Sequence, residues 1–361
     1  METRLEGIRS RFEDLGIDAL IVSSDENRRY LSGFTGSAGS LILTSNEAVL
    51  ATDFRYVEQA GQQSPYFRVL RTLGSLDWLI TLLDELGVKR LGFESQHMTV
   101  ASHERLLKAL NEKDLDYTTS LIATSGVVET IRSVKDPLEM IALTRAIEIA
   151  DQAFEEVAKT IRAGQTEAEI AWNLEKTMRE LGAESVSFDT IVAAGPNAAL
   201  PHHRPSDQAI RESEPLIIDM GAKYQGYCSD LSRTLCLGQP DETFRKVYDT
   251  VLGAQLAAIA MVERGMTAGD ADALARTVIE EAGYGDNFGH SLGHGVGLAV
   301  HEQPGVGPNS NTILENGMAF TIEPGIYISG WGGVRIEDVV VLEDGKARVI
   351  SKASKIDKLE V

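Results

Sequence analysis

Short apolar runs alternate with amphipathic stretches over the first 125 or so residues. The β-rich runs are ALIVSS, SLILTS, AVLATD, FRVLRT and RLGFES, and helical patterns such as SLDWLITLLDELG and ASHERLLKALNEK lie between them. Runs rich in aliphatic and β-branched residues are typical of strands, and apolar positions three or four residues apart are typical of helices. Residues 1–130 are therefore predicted to form an α/β domain with a mixed sheet flanked by helices.

The pattern changes near residue 130, where the polar stretch TSGVVETIRSVKDPLEM begins. Asp136 followed by Pro137 is typical of a helix start, because proline fits the first helical position. A helical pattern then runs from Pro137 to Arg162, followed by the turn AGQTEAE and a second helix ending at Gly182. We place a second domain over residues 131–361.

A similar helical pair recurs between Phe244 and Gly283. A shift of 101 residues aligns Gly164 with Gly265, Thr166 with Thr267 and Gly182 with Gly283. Both threonines are predicted to cap helices, and the acid three residues after each one is predicted to complete a capping box. The second domain is thus expected to contain two related halves.

Each helical pair is followed by two β-rich runs around a turn. In EPLIIDMGAKYQGYCSDLSRTLCLG, a turn centred between Tyr224 and Gln225 would set Asp219 opposite Asp230. In AFTIEPGIYISGWGGVRIEDVVVLEDG, a turn centred on Gly330 would set Glu323 opposite Glu337. Side chains that face each other across two strands have Cβ atoms about 4.5 to 5.5 Å apart. Each half is predicted to supply one pair of carboxylates.

These four acids lie among apolar neighbours such as Ile218 and Ile322. Close carboxylates in apolar surroundings repel each other unless a proton or a cation lies between them. The stretch GHSLGHGVGLAVHE adds three histidines, so an imidazole ligand is also available. Such ligands suit two divalent cations, and oxygen-rich ligation favours Mn²⁺ while Co²⁺, Fe²⁺ and Zn²⁺ stay open.

Charge and cysteine usage narrow the class of protein. The chain has 54 Asp and Glu against 34 Lys and Arg, a net charge of −20, which disfavours nucleic acid as a partner. The sequence shows neither an apolar stretch long enough to cross a bilayer nor a secretory leader. The two cysteines, Cys228 and Cys236, do not make a disulfide framework. We expect a cytoplasmic protein without a membrane partner.

The order Asp219, Asp230, His294, Glu323, Glu337 resembles the Asp-Asp-His-Glu-Glu site of the M24 metallopeptidases, which have the pita-bread fold. NRRYLSGFTGSAGS and TDFRYVEQA resemble the creatinase-type N-terminal domain of the proline-specific branch, which contains aminopeptidase P and prolidase. The resemblance implies an α+β fold. A curved antiparallel sheet with two pseudo-symmetric helix pairs would follow an α/β accessory domain.

The resemblance also implies a role for each ligand. Asp230 and Glu337 would bridge two metal ions, His294 and Glu323 would bind one ion, and Asp219 would bind the other. Glu323 would in addition carry the proton from the attacking water to the leaving proline nitrogen.

Further residues are expected to act on the substrate. His301 would stabilise the tetrahedral intermediate, and His202 and His290 match active-site histidines of the family. Arg335 would orient the active-site acids or the downstream end of the substrate, and Tyr327 is a candidate partner of Glu323. His203 has no assignable counterpart.

The function implied is that of an Xaa-Pro aminopeptidase. It would hydrolyse the bond before a proline in the second position of a peptide with a free N-terminus, through a hydroxide bridged by two metal ions. An Xaa-Pro dipeptidase is the alternative. A methionine aminopeptidase and a metal-free binding or creatinase-like protein are more remote ones. The resemblance also implies a homodimer.

Overall fold

The computed structural model describes residues 2–112, 119–356 and 358–359. These residues fall into two compact units, Met1–Arg132 and Ser133–Val361. Lys113, the last residue of the predicted helical stretch ASHERLLKALNEK, lies outside the described residues. Within the described part of the chain, no helix has both the length and the apolar character that crossing a membrane requires.

A six-stranded mixed sheet forms the centre of the first unit, as predicted. Its strands are β1 (Ala19–Val22), β2 (Ser40–Thr44), β3 (Ala48–Thr52), β4 (Arg68–Arg71), β5 (Arg90–Glu94) and β6 (Ser120–Thr124), in the order β4-β3-β2-β1-β5-β6. β1 pairs antiparallel with β2 and parallel with β5. The five predicted runs form β1 to β5. The sequence pattern missed β6, whose residues are mostly half-buried or exposed and give a weak apolar signal.

Seven helices accompany this sheet in the described residues. They are α1 (Glu2–Arg9), α2 (Phe12–Leu15), α3 (Asp25–Ser32), α4 (Val57–Gln63), α5 (Asp77–Glu85), α6 (Val100–Asn111) and α7 (Val127–Ser133). The two predicted helical patterns correspond to α5 and α6. Their leucines pack with Ile42 and Val49 of the sheet in one apolar cluster, so burial of one helix face stabilises both elements.

The second unit contains the two predicted helical pairs. They are α8 (Pro137–Ala158) with α9 (Glu167–Glu180), and α10 (Glu242–Met261) with α11 (Ala268–Glu281). Asp136 caps α8 with Pro137 at its start, as predicted. Thr166 forms a complete capping box with Glu169. At Thr267 the cap bond to the Asp270 amide is present, but the shorter Asp270 side chain bonds the threonine hydroxyl, so a full box is not seen there.

The remaining strands form mainly antiparallel sheets against these helices. They are β7 (Ser185–Val186), β8 (Ile191–Ala194), β9 (Pro215–Met220), β10 (Ala222–Tyr224), β11 (Tyr227–Cys228), β12 (Leu231–Leu237), β13 (Gly293–Gly295), β14 (Glu302–Val306), β15 (Ala319–Ile322), β16 (Gly325–Ile328), β17 (Gly332–Arg335), β18 (Asp338–Glu343), β19 (Lys346–Val349) and β20 (Lys358–Leu359). The two larger sheets have the orders β20-β12-β9-β8 and β14-β13-β15-β18-β19. β20 departs from the predicted antiparallel pattern, because it pairs parallel with β12.

Each half of the second unit buries its own apolar core. One core joins α8 and α9 to β9 and β12, with Phe154 and Leu174 fully buried. The other joins α10 and α11 to β15 and β18, with Phe244 and Phe320 fully buried. The repeated helical pairs therefore support the two strand pairs that carry the predicted acids.

The predicted register of the first hairpin was wrong. Ser232, rather than Asp230, lies opposite Asp219, and Tyr224 pairs with Tyr227. The chain reverses through the two-residue turn Gln225–Gly226, where both residues have positive φ (47° and 81°). Such a tight turn matches the twist of antiparallel strands, and it moves the pairing away from the predicted centre.

The predicted register of the second hairpin is confirmed. Ile322 pairs with Asp338, and Gly325 pairs with Arg335. Both pairs continue one register, which gives Glu323 and Glu337, between the two ladders, matching positions on the two sides of the hairpin.

Candidate active site

All of the predicted site residues lie in the second unit, and most of them line one cavity of about 920 Å³. That volume suits a small-molecule or short-peptide ligand. The predicted residues on its wall are His202, Asp219, Asp230, His290, His294, His301, Glu323, Tyr327 and Arg335. Glu337 lies beneath the wall and is only 1% exposed. Among the residues that the structure describes, His203 is not one of those that line the cavity.

Three of the predicted metal ligands come together, and two of them, Asp230 and His294, line this cavity. One ligand atom each of Asp230, His294 and Glu337 lies within 4.8 Å of the others. The Nε2 atom of His294 is 3.6 Å from Asp230 Oδ2 and 3.1 Å from Glu323 Oε1. Atoms from both halves of the second unit therefore meet around His294.

His294 is held in place by its own short strand, β13, which pairs with β14 and β15. Its backbone N–H donates to Thr321 Oγ1 (3.0 Å), and its Nδ1 lies 3.2 Å from the Gly295 carbonyl oxygen. An Nδ1 proton donated to that carbonyl leaves the Nε2 lone pair directed at the acids, as a metal ligand requires. Gly293 allows the close approach to β15, because a Cβ there would overlap the Thr321 carbonyl oxygen.

Glu323 lies just after β15 and is fixed from two sides. Thr321 Oγ1 donates to Glu323 Oε1 at 3.0 Å, and His294 Nε2 approaches the same oxygen. Burial raises the pKa of Glu323, but the hydrogen bond and charge of His294 outweigh burial and lower this pKa. In the same pair, burial lowers the pKa of His294, and the hydrogen bond and charge of Glu323 outweigh that and raise it.

Asp230 and Glu337 are buried where a negative charge is unfavourable. Burial raises the pKa of Asp230 well above its ordinary value, and the nearby charge of Glu337 raises it further. Burial likewise raises the pKa of Glu337, with further increases from Glu323 and Asp219. Among the described residues, Glu337 Oε1 and Asp219 Oδ1 are buried without a hydrogen-bond partner. Oxygen donors of this kind fit divalent cations, which would neutralise the clustered charge.

Asp219 is oriented by Arg335. One guanidinium nitrogen, Nη2, donates to Asp219 Oδ2 at 2.6 Å. Nε donates to Ser232 Oγ (2.7 Å), and Nη1 donates to the Tyr327 hydroxyl (2.8 Å). Burial lowers the pKa of Arg335, but Tyr327 and Asp219 outweigh burial and raise it well above its ordinary value. Arg335 thus stays charged and holds Asp219 toward the other acids.

Tyr327 links Arg335 to His290. The tyrosine hydroxyl lies 3.1 Å from His290 Nε2 and accepts the bond from Arg335. Its direct partners are therefore these two residues rather than Glu323. The His290 ring also packs edge-on against Phe288, at a centroid distance of 5.0 Å. Burial is the main cause that lowers the pKa of His290.

His301 and His202 lie at the rim of the cavity. The His301 ring is 4.2 Å from the His294 ring, between centroids, and burial followed by the charge of His294 lowers the pKa of His301. His202 is exposed. His203 points elsewhere: its Nε2 lies 2.8 Å from Glu167 Oε2, in the first turn of α9.

The sequence reasoning missed several supporting residues. Ser232 and Thr321 are both fully buried and bond Arg335 and Glu323 respectively. Glu167 is buried and accepts bonds from Ala194, Asn197, His203 and Ser206, so it anchors the segment that carries His202. The signal available in the sequence was spacing, because Ser232 and Thr321 each lie two residues from a predicted ligand.

Comparison with known families agrees with this geometry. The model of metallopeptidase family M24 matches residues 142–344, more than half of the chain, and the creatinase/prolidase N-terminal domain matches residues 4–134. The chain belongs to metallopeptidase family M24. Its members use divalent metals, so this protein is a metal-dependent hydrolase with the pita-bread fold and a creatinase-type N-terminal domain.

Individual relatives cover almost the whole chain. The solved structure of an Xaa-Pro dipeptidase from Bacillus anthracis is 42% identical, with a TM-score of 0.95 and 99% of each chain covered. An Xaa-Pro dipeptidase from Pyrococcus horikoshii is 37% identical over 98% of each chain. The X-Pro aminopeptidase structure from Thermotoga maritima is 38% identical, with a TM-score of 0.87, covering 97% of this chain and 100% of its own.

Proposed function

We propose that this protein is an Xaa-Pro dipeptidase that uses two divalent metal ions. The observation that carries the proposal is the approach of Asp230, His294 and Glu337 within 4.8 Å, where Asp230 and His294 line a cavity large enough for a dipeptide. Relatives named as Xaa-Pro dipeptidases support the dipeptidase alternative better than the aminopeptidase prediction. The aminopeptidase activity stays as the second candidate, because an X-Pro aminopeptidase is also similar along the whole chain.

The ligand roles are those that the sequence resemblance implied. Asp219, Asp230, His294, Glu323 and Glu337 would hold the ions, with Asp230 and Glu337 shared between them. Divalent cations at such a site polarise a carbonyl group and lower the pKa of water. Mn²⁺ is our proposed metal, because four carboxylates outnumber one imidazole.

The protein side chains would handle protons and charge. Glu323 would take the proton of the attacking water on Oε1 and deliver it to the proline nitrogen as the peptide bond breaks. His301 would donate an N–H to the oxygen of the tetrahedral intermediate. Arg335 would keep the Asp219 carboxylate oriented toward the free amine of the substrate.

A dipeptide carries its carboxylate on the proline itself, so a dipeptidase needs a cation at that end. Arg335 and Arg204 are the arginines on the described cavity wall, and Arg335 is already bonded to Asp219, Ser232 and Tyr327. Arg204 has no hydrogen bond or ion pair within the described residues. We therefore propose Arg204 as the group that binds the substrate carboxylate.

Rates on matched peptides test the choice of activity. With Mn²⁺ present, we expect a higher kcat/KM on Xaa-Pro dipeptides than on Xaa-Pro-Yaa tripeptides that share the first residue. Equal or faster cleavage of the tripeptides would favour the aminopeptidase. Cleavage of Met-Ala peptides with no Xaa-Pro cleavage would favour a methionine aminopeptidase.

Arg204 is tested by removing either member of its proposed contact. Arg204→Met should raise KM for Xaa-Pro by roughly 10- to 100-fold, since a charged hydrogen bond is lost. It should leave KM for the amide Xaa-Pro-NH₂ almost unchanged. Arg211→Met, at an exposed arginine of the same segment, is the control. Equal losses on acid and amide would contradict the role of Arg204.

A homodimer and a cytoplasmic location stay predictions of the sequence. Sedimentation of the metal-loaded protein tests the first of these. A fully active monomer would contradict it.

A further inference from the structure

A buried ion pair lies behind the loop that carries His301. Lys135 Nζ is 2.7 Å from Glu302 Oε1, and the two side chains are only 1% and 5% exposed. Lys135 Nζ also donates to the Ser133 carbonyl oxygen at 3.3 Å. Neither residue lines the cavity or belongs to the predicted ligand set.

The lysine end of this pair is attached to the strand that leads to Glu323. The Lys135 backbone N–H donates to the Gly317 carbonyl oxygen at 2.8 Å, and Val134 forms a bridge with Met318. β15 begins at the next residue and ends directly before Glu323. Lys135 is therefore fixed relative to that acid.

Glu302, the acidic member of the pair, lies close to His294 and His301 in the chain pairing. Glu302 follows His301 in the chain and lies opposite Gly295, next to His294, where β13 and β14 pair. Its second oxygen, Oε2, accepts a bond from the Ala299 N–H at 3.3 Å. The carboxylate also packs tightly on Gly297, where a Cβ would overlap Oε1. The loop from 297 to 302 thus closes around this carboxylate.

A gain in folding stability is a weak explanation for a buried ion pair. Moving two charges out of water costs several kcal/mol per ion, and apolar replacements of buried ion pairs are often neutral or stabilising. A buried pair does, however, fix the relative positions of its two residues, because each buried charge needs the other as its partner. The contacts of Lys135 and Glu302 join two parts of the site that are far apart in sequence.

We propose that the Lys135–Glu302 pair is a positioning device that sets His301 at its working distance from Glu323 and His294. This inference rests on the proposed function only for the role of His301 in catalysis. In the metal-loaded enzyme, the pair would act through the 297–302 loop without touching substrate.

The test is a double-mutant cycle between the pair and His301. Lys135→Met should lower kcat on an Xaa-Pro dipeptide by roughly 10- to 100-fold, as other supporting residues of metal sites do, with little change in KM or bound metal. In a His301→Ala background the same substitution should change kcat by less than about threefold, because the group it positions is gone. Lys346→Met removes an exposed pair with Glu263 and is the matched control.

Two further measurements separate positioning from loss of folding or function. Gly297→Ala displaces the Glu302 carboxylate without removing a charge, and it should reproduce the kcat loss if Lys135→Met does not fold. Histidine-selective NMR of the protein loaded with Zn²⁺, which is diamagnetic, should show the His301 signal shifted in Lys135→Met, while His97 is unchanged. Equal kcat losses with and without His301, or an unshifted His301 signal, would overturn the proposal. An inactive wild type with a shifted His301 signal would contradict the proposed function alone.

Discussion

Arg335 shows how one residue can organise several others. It donates to a carboxylate, a serine hydroxyl and a tyrosine hydroxyl with three different nitrogens. The planar guanidinium fixes these three directions at once, which a lysine ammonium does not do. The orientation of Asp219 therefore depends on the shape of Arg335 as well as on its charge.

Arg335→Lys should lower kcat/KM by roughly 10- to 100-fold, because it keeps the charge but loses the fork that supports Asp219. Steady-state kinetics and the metal content of the purified protein are the measurements. Arg264→Lys, at an exposed pair with Glu315, is the control. Unchanged kinetics in Arg335→Lys would show that charge alone is sufficient.

For individual residues, the sequence indicates which side chains are chemically important better than it indicates which side chains they contact. The four acids could be predicted because carboxylates in apolar runs are unusual, whereas the family resemblance singled out His294, and the structure brings Asp230, His294 and Glu337 together. The partner of His203, Glu167, lies 36 residues away in the chain. A contact over that distance depends on the packing of α9, which no local pattern encodes.

Among the elements, β13 is the strand whose position matters most for His294. Gly293 lies so close to β15 that a methyl group would overlap the Thr321 carbonyl oxygen. Thr321 in turn bonds both the His294 backbone and Glu323. Separation of these two strands would therefore move the His294 imidazole away from the Glu323 carboxylate.

Gly293→Ala should reduce kcat/KM by at least about 100-fold, since a shift near 1 Å at catalytic groups has effects of this size. Kinetics with saturating Mn²⁺ and a thermal unfolding scan are the measurements. Gly253→Ala, in α10 with open space around it, should be neutral or slightly stabilising. Near wild-type activity in Gly293→Ala would contradict the proposed strand spacing.

The segment from Ala194 to Ser206 depends on α9 through Glu167. Burial raises the pKa of Glu167, but bonds from Asn197, Ser206, Ala194 and His203 outweigh burial and lower it from 4.5. A carboxyl with a lowered folded pKa adds stability above its unfolded pKa, and this stability is lost as pH falls through the folded value.

Glu167→Gln should therefore lower the free energy of unfolding by about 1–3 kcal/mol at pH 7, since buried donors lose their acceptor. The difference from wild type should shrink once the pH drops below the ordinary value of 4.5. Urea unfolding across this range measures it, with the exposed Glu180→Gln as control. A difference independent of pH would contradict the assignment.

The two hairpins explain why element registers were only partly predictable. The second has Gly330 at its centre with positive φ (80°), and the glycine marked the turn correctly. In the first, Gln225 adopts a positive φ that a sequence does not reveal for a non-glycine residue, so the turn was misplaced. Asp230 still joins His294 and Glu337, because it lies before β12 and is not bound to the ladder register.

Across the second unit, we propose that the repeat brings one carboxylate pair from each half to a common centre. Asp219 and Asp230 follow the first helical pair, and Glu323 and Glu337 follow the second. Neither half alone supplies enough ligands for two ions. Each half has its own apolar core, so the acids are held close on rigid supports despite their repulsion.

Metal binding should therefore stabilise the folded state. Removal of divalent ions by a chelator should lower Tm, and free metal at 100 times its Kd should restore about 2.7 kcal/mol. Glu337→Gln should raise the Tm of the metal-free protein, because one buried repelling charge is removed, and should reduce the response to metal. Differential scanning calorimetry checks both. A larger metal response in Glu337→Gln than in wild type would contradict the account.

We propose that these five side chains hold two divalent ions beside one cavity. Anomalous diffraction from crystals grown with Mn²⁺, recorded at the manganese edge, would locate the ions. We expect two peaks about 3.5 to 4 Å apart, with Asp230 and Glu337 contacting both. No peak within bonding distance of Asp230, His294 and Glu337 would contradict it.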